Sequence, residues 1–156
     1  MAERIKALTV RQPWAWQIIH QRKDIENRTR NIAGNYRGPL AIHAALKADE
    51  PALARLPMHA PEWVTARRIF DYGVILGVVD LVDVHTPTPQ HGKPTCPSIT
   101  DAPWTCSAWA EDDTVHLVLD NPRPIPRGQQ PRCRGALGLW TPPADIMARL
   151  RAVANA

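Results

Sequence analysis

The strongest structural signal in the sequence is the apolar run GVILGVVDLVDV at residues 73–84. Its valine and isoleucine residues are β-branched, and such residues favour the extended backbone of a strand. Gly77 interrupts the run and marks a candidate β-bulge. We therefore expect a long strand here, which needs partner strands elsewhere in the chain.

Weaker patterns predict the other elements. Apolar alternation or enrichment predicts strands at residues 5–10, 24–30, 40–44, 115–119 and 134–140. Helices are expected at residues 13–22, at 49–70 with breaks around Pro57 and Pro61, and from Thr141, a candidate N-cap, to near Ala154. Residues 85–110 are rich in proline and are expected to form an ordered surface excursion.

These elements predict an α+β fold. Too few strands alternate with helices for a doubly wound parallel sheet, so the strands are expected to pair mostly antiparallel. A small curved β-barrel with flanking helices is the economical arrangement. The length of 156 residues favours a single domain over residues 1–156.

The charge distribution favours an anionic partner without requiring one. The formal net charge is +4, and eight basic residues lie between Arg4 and Arg37. Between Asp71 and Pro122 the only basic residue is Lys93, against eight carboxylates. The basic segments could meet as one positive surface, or the charge could be scattered and solubilising.

The cytoplasm is the expected compartment, and no membrane contact is expected. No stretch of the sequence is apolar and long enough to span a bilayer, and the N-terminus lacks the layout of a signal peptide. The odd count of three cysteines argues against a secreted disulfide framework.

Three segments carry a resemblance to a known family. These are LTVRQPWA at residues 8–15, KDIENR at 23–28 and YRGPLAIHA at 36–44. Together they resemble the ASCH (activating-signal-cointegrator homology) domains of the PUA-like group. The resemblance implies a small PUA-like β-barrel with a cleft beside the helices, and a role in binding RNA or its components. Some members are hydrolases of modified nucleosides or RNA, so the resemblance leaves binding and catalysis both open.

Arg11 and Gln12 lie at the predicted corner between the first strand and the first helix. A helix start offers free backbone donors and a positive dipole end. The arginine can grip a phosphate or base edge, and the glutamine can pair with a base. The alternative is that Arg11 pairs with a carboxylate and Gln12 caps the helix.

Lys23, Glu26 and Arg28 form a second candidate group. In the nucleoside-hydrolysing relatives a lysine and a threonine three positions later belong to the active site; here Lys23 matches and Glu26 replaces the threonine. Glutamate can act as a general base, so Lys23 and Glu26 could work as an acid–base pair or as ligand contacts. The alternative is a surface ion pair between Glu26 and Arg28.

Aromatic and basic residues further along complete the candidate ligand-binding set. Tyr36 and Arg37 could supply a stacking ring and a phosphate contact. Trp104 or Trp109, in the excursion, is the candidate wall for base stacking. His43 is a possible proton carrier, although a histidine on a strand is more often structural.

No cofactor or metal is expected from the sequence. Three cysteines and three histidines could gather into a zinc site, but no CxxC or HExxH pattern brings them close; these are Cys96, Cys106, Cys133, His85, His91 and His116. Idle or buried thiols are the favoured interpretation. No phosphate-binding glycine loop, GxSxG motif or dinucleotide fingerprint occurs.

Two functions remain open from the sequence. The first is a module that binds RNA, another nucleic acid or a nucleobase-containing small molecule in a basic, aromatic-lined cleft. The alternative is a small metal-independent hydrolase that acts on a modified nucleoside or RNA through Lys23 and Glu26, with His43 as a possible third member. The sequence does not determine the ligand or the oligomeric state.

Overall fold

The structure is a computed structural model that describes residues 4–57, 70–90, 93–96 and 106–156. The described strands are β1 (Lys6–Val10), β2 (Ile25–Arg28), β3 (Gly38–Ala44), β4 (Ile75–His85), β5 (Thr88–Gln90), β6 (Lys93–Thr95), β7 (Val115–Pro124) and β8 (Leu139–Trp140). The described helices are α1 (Trp14–His20), α2 (Glu50–Ala54) and α3 (Ala144–Ala154). The second half of the helix predicted at 49–70 lies outside the described residues, as do His91 and Trp104.

Six of these strands form one curled mixed sheet in the order β2-β7-β4-β3-β1-β8. Only the β1–β3 pair is parallel, and the other ladders of this sheet are antiparallel. The α+β class is therefore as predicted, and antiparallel pairing predominates. Within the described ranges β2 and β8 are the two edges and no ladder joins them, so a closed barrel stays a prediction.

Apolar side chains cover both faces of the sheet. On one face Leu8, Leu40 and Leu76 pack with residues of α1 such as Ile18. On the other face Ala7, Ile75 and Val78 pack with Ile146 and Leu150 of α3. Because both faces are covered, β3 and β4 have nearly continuous apolar sequences.

The long β4 strand is irregular beside Gly77. Ile42 of β3 pairs with Gly77, but His43 pairs with Ile75, so the register shifts by one residue. A Cβ atom at Gly77 would lie 2.5 Å from the Arg123 carbonyl oxygen and 3.0 Å from the side chain of Ile19. The irregularity predicted at Gly77 is confirmed, and the close approach of β7 and α1 leaves no room for a side chain at this position.

The start of α3 differs from the sequence prediction. Its N-cap position is Pro143, which makes no side-chain cap hydrogen bond. The Thr141 hydroxyl instead accepts a hydrogen bond of 3.0 Å from the Lys6 ammonium. The prediction of a Thr141 cap is therefore wrong, because the hydroxyl is engaged with β1 across the chain.

Among the residues that the structure describes, no helix combines the length and the apolar character needed to cross a bilayer.

Candidate functional site

A cavity of about 860 Å³ opens beside β2, and we call it the β2 cavity. Its walls come from residues 9–11 and Trp14 at the β1–α1 corner, from Lys23 and residues 26–29, from residues 108–111 and from residues 136–138. Ala45 and the two residues that flank α2, Asp49 and Arg55, complete the lining. Five of the residues predicted to bind a ligand line it: Arg11, Lys23, Glu26, Arg28 and Trp109.

The charged row at β2 is a buried ion-pair triad. The Lys23 ammonium lies 3.2 Å from one Glu26 carboxylate oxygen, and the Arg28 guanidinium lies 2.9 Å from the other. The side chains of Lys23 and Glu26 are 3% and 9% exposed, whereas that of Arg28 is 28% exposed. One carboxylate thus serves two cations, and the triad carries one net positive charge at the cavity wall.

Backbone contacts fix the triad in place. The Lys23 ammonium donates to the carbonyl of Ile25 at 2.5 Å, and the Arg28 guanidinium donates to the carbonyl of Thr9 at 3.2 Å. Glu26 and Arg28 are two residues apart on β2, so they lie on the same face of the strand. The Lys23 ammonium also lies 5.4 Å from the centroid of the Trp14 ring, within the range of a cation–π contact.

Trp14 and Asp49 form a further part of the cavity wall, with the Trp14 ring next to Lys23. The Trp14 indole N–H donates to Asp49 Oδ2 at 3.0 Å, while Asp49 Oδ1 accepts from the backbone N–H of Ala52 and caps α2. The hydrogen bond from Trp14, followed by that from Ala52, holds the pKa of Asp49 below its ordinary value. Asp49 therefore stays an anion that orients the indole towards the cavity.

Two arginines at this cavity are available to an incoming anion. Arg11 is exposed at the end of β1, and Arg55 is exposed just after α2. Both guanidinium groups lack a hydrogen-bond or ion-pair partner among the described residues, although both lie close enough to Asp49 to favour its charged form. They present two planar donor groups suited to phosphate.

Asn27 holds the tryptophan wall against β2. Its amide N–H donates to the Trp109 carbonyl at 2.9 Å, and its side-chain oxygen accepts from the Glu111 backbone N–H at 2.9 Å. The Thr114 hydroxyl donates to the same oxygen at 3.2 Å. One side chain therefore fixes the position of residues 109–114 beside the cavity.

The structure places three predicted ligand contacts outside this cavity. Gln12 is fully buried; its amide donates to the Asp71 carbonyl at 3.0 Å and accepts from the Trp16 N–H at 2.9 Å. The Tyr36 hydroxyl lies 2.6 Å from the carbonyl oxygen of Pro39. Arg37 is exposed and donates to the carbonyls of its own turn. Gln12 and Tyr36 thus make hydrogen bonds within the fold.

His43 lies in a neighbouring cavity of about 770 Å³, which Arg132 and Arg134 also line. Its Nε2 lies 2.8 Å from the Cys133 carbonyl, so Nε2 carries the proton and Nδ1 accepts from the Thr9 hydroxyl at 3.2 Å. Burial lowers the pKa of His43. Both ring nitrogens are therefore engaged, which favours the structural interpretation over the proton carrier.

Asn27, Asp49 and Trp14 were not singled out from the sequence as site residues. Asp49 had a usable signal, because an aspartate before Glu50 and Pro51 is typical of a helix N-cap. Trp14 recurs with Ile18 and Ile19 at helical spacing, a pattern more typical of a core residue than of a ligand contact. Asn27 gave no signal, since its partners lie more than 80 residues away in the sequence.

Comparison with known proteins places the site within a family. The sequence profile of the ASCH domain matches residues 8–118, which run from β1 into β7 and include the triad, Asn27 and Trp109. No curated protein matches the chain closely in sequence. A match to the ASCH domain is consistent with a PUA-like domain of the RNA-binding type. Because the profile covers more than half of the 156 residues, the chain belongs to the ASCH domain family.

Proposed function

We propose that this protein binds single-stranded RNA and holds one unstacked nucleobase in the β2 cavity. The observation that carries the proposal is that two indoles, an ion-paired carboxylate and two exposed arginines line one cavity. Its volume of about 860 Å³ falls in the range of small-ligand pockets. Sequence-specific RNA recognition commonly takes bases that are splayed out of the strand.

Each wall suits one part of a nucleotide. Trp14 or Trp109 supplies a ring for base stacking, an interaction worth roughly 1–3 kcal/mol per base. Glu26 is an acceptor for a base N–H, and Arg28 is a donor for a base carbonyl. Arg11 and Arg55 lie where they can meet the flanking phosphates. Lys23 acts by holding the Glu26 carboxylate in position through an ion pair of 3.2 Å.

Fluorescence anisotropy with a labelled single-stranded RNA tests this assignment. Arg11→Gln is expected to weaken affinity about 3–10-fold, because one phosphate contact is lost. Trp109→Ala is expected to weaken it by about tenfold or more through lost stacking. Arg37→Gln is the matched control, since it removes the same charge from an exposed arginine outside the cavity. The RNA affinity of this variant should differ from that of the wild type by less than twofold.

Equal losses of RNA affinity in Arg11→Gln and Arg37→Gln would contradict the proposal, because they would mean that only the overall charge of the protein matters. Affinity should also fall steeply with added salt if several phosphates are engaged. Tight binding of a free nucleoside with no salt dependence would instead identify a small-molecule ligand for the same cavity.

One observation favours a second candidate, a small hydrolase. The Lys23 ammonium and the Glu26 carboxylate lie 3.2 Å apart at the cavity wall, which is the distance of an acid–base pair. This candidate predicts cleavage of RNA or hydrolysis of a modified nucleoside without added metal. The Lys23→Met variant should lose that activity. Incubation of RNA and a panel of modified nucleosides with the protein, followed by chromatography, separates it from pure binding, for which no product forms.

A further inference from the structure

Two cysteines and two histidines meet beside β4 and β7, in a group separate from the triad. His85 ends β4 and lies opposite His116 of β7 in the ladder. Cys96 follows β6, and Cys106 precedes the Trp109 wall. The ligand atoms of these four residues all lie within 4.8 Å of one another. We call the group the Cys/His cluster: His85, Cys96, Cys106 and His116.

Two distances within the cluster match those of a tetrahedral site. With Zn–S bonds of about 2.3 Å and Zn–N bonds of about 2.05 Å, a sulfur and a nitrogen ligand lie about 3.6 Å apart at the tetrahedral angle. His116 Nδ1 lies 3.5 Å from the Cys96 sulfur and 3.6 Å from the Cys106 sulfur. These two edges therefore have the length that one shared ion requires.

The hydrogen bonds around His116 leave the correct nitrogen open. Its Nε2 lies 2.7 Å from the Glu111 carbonyl oxygen, which can only accept, so Nε2 carries the proton. Nδ1 then presents a lone pair towards the two sulfurs. A backbone carbonyl that fixes the histidine tautomer in this way is typical of metal sites.

His85 has the same arrangement with a carboxylate. Its Nδ1 lies 2.7 Å from Asp83 Oδ2, which leaves Nε2 for a further partner. That Nε2 is buried, and it makes no hydrogen bond to any described group. The His85 side chain is only 7% exposed. A buried imidazole nitrogen with an open lone pair is costly unless something binds it.

We propose that the Cys/His cluster binds one zinc ion as a four-coordinate structural site. Two thiolates and two neutral imidazoles form a Cys₂His₂ set, for which zinc is the usual ion, and four protein ligands leave no open position for catalysis. On binding, both thiols lose their protons to solvent and two S–Zn bonds form with no change of oxidation state.

A zinc ion at the cluster would connect several parts of the fold. It would tie the end of β4 to β7, to the residue after β6 and to Cys106, which lies three positions before Trp109. His116 also contacts the carbonyl of Glu111, a residue that lines the β2 cavity. Zinc would therefore anchor the segment that Asn27 holds from the other side.

Elemental analysis of the untagged full-length chain, purified from zinc-supplemented medium and dialysed, tests the proposal. We expect about one zinc per chain in the wild type and in Cys133→Ser, whose cysteine lies outside the cluster. Cys106→Ser should retain less than about a tenth of that zinc. A titration of the metal-free wild type with Co²⁺ needs no variant to fold, and it should give the intense visible bands of a tetrahedral ion with a sulfur-to-cobalt charge-transfer band.

Three results would overturn the site. The first is wild-type protein that holds no zinc and gives no tetrahedral Co²⁺ spectrum. The second is equal zinc loss in Cys133→Ser and Cys106→Ser. The third is a Cys96–Cys106 disulfide in the freshly purified chain under non-reducing peptide mapping. RNA affinity plays no part in these readouts, so they stand apart from the test of the β2 cavity.

Discussion

At the residue scale, Glu26 is the side chain on which the candidate site most depends. Its two carboxylate oxygens face Lys23 and Arg28 at 3.2 and 2.9 Å. Breaking a buried ion pair by removing one partner is costly, because the remaining charge is left without compensation in a poorly solvated place. The triad is therefore expected to stabilise the fold as well as to form part of the proposed binding surface.

The first prediction concerns this carboxylate. Glu26→Gln should lower the free energy of unfolding by about 3 kcal/mol, because Lys23 stays buried with no counter-charge. Urea denaturation followed by circular dichroism measures the change. Glu111→Gln, at an exposed glutamate of the same cavity, should change stability by less than about 0.5 kcal/mol. Equal stability of the two variants would show that the triad is not coupled to the fold.

The second prediction concerns His43 and pH. Burial lowers the pKa of His43 in the folded chain from 6.5, so the unfolded chain takes up a proton at higher pH than the folded chain does. The free energy of unfolding should therefore fall as pH drops below about 6.5, and the loss should level off below the folded pKa.

His43→Gln is the variant for that measurement, since an amide can still accept from Thr9 and donate to Cys133. Burial also lowers the pKa of His20, so the variant should keep a residual pH dependence. The stability difference between wild type and His43→Gln should shrink as pH falls from 7 towards 5. A difference that stays constant over this range would mean that His43 titrates normally in the folded chain.

At the element scale, strand β2 acts as the frame of the site. One face presents Glu26 and Arg28 to the cavity, and Asn27 binds the backbone of residues 109–114. The same strand pairs with β7 through four register positions. The Asn27 amide therefore helps to hold Trp109 beside β2, while His116 of β7 contacts the carbonyl of Glu111 two residues further on.

The third prediction tests that frame. Asn27→Ala removes three hydrogen bonds and should lower stability by about 1–3 kcal/mol. Hydrogen exchange at the Glu111 amide should become faster, and RNA affinity should fall with it. Asn31→Ala, which disrupts a local turn at Ala33 and Gly34, is the control and should leave exchange at residues 109–114 unchanged.

At the scale of the whole molecule, local patterns predicted the elements better than the site. The strands at 73–84 and 115–119 and the helix at 13–22 were found because burial on both sides of a sheet or on one side of a helix leaves a repeating pattern. The common face of Glu26 and Arg28 followed from strand alternation.

Features that depend on residues distant in the sequence could not be predicted from these local patterns. The side-chain direction of Gln12 is decided by the Asp71 carbonyl, 59 residues away. The meeting of His85 with His116 depends on the register of β4 against β7, which no short motif records. The parallel β1–β3 pair likewise follows from the path of the chain through α1 and β2.

Photo-crosslinking with single-stranded RNA that carries 4-thiouridine tests the central claim most directly. After ultraviolet irradiation and digestion, mass spectrometry identifies the peptides joined to the base. The β2 cavity predicts crosslinks on the peptides that contain Trp14 and Trp109, reduced in Trp109→Ala. Crosslinks confined to the neighbouring cavity near Arg132 and Arg134, or to α3, would contradict it.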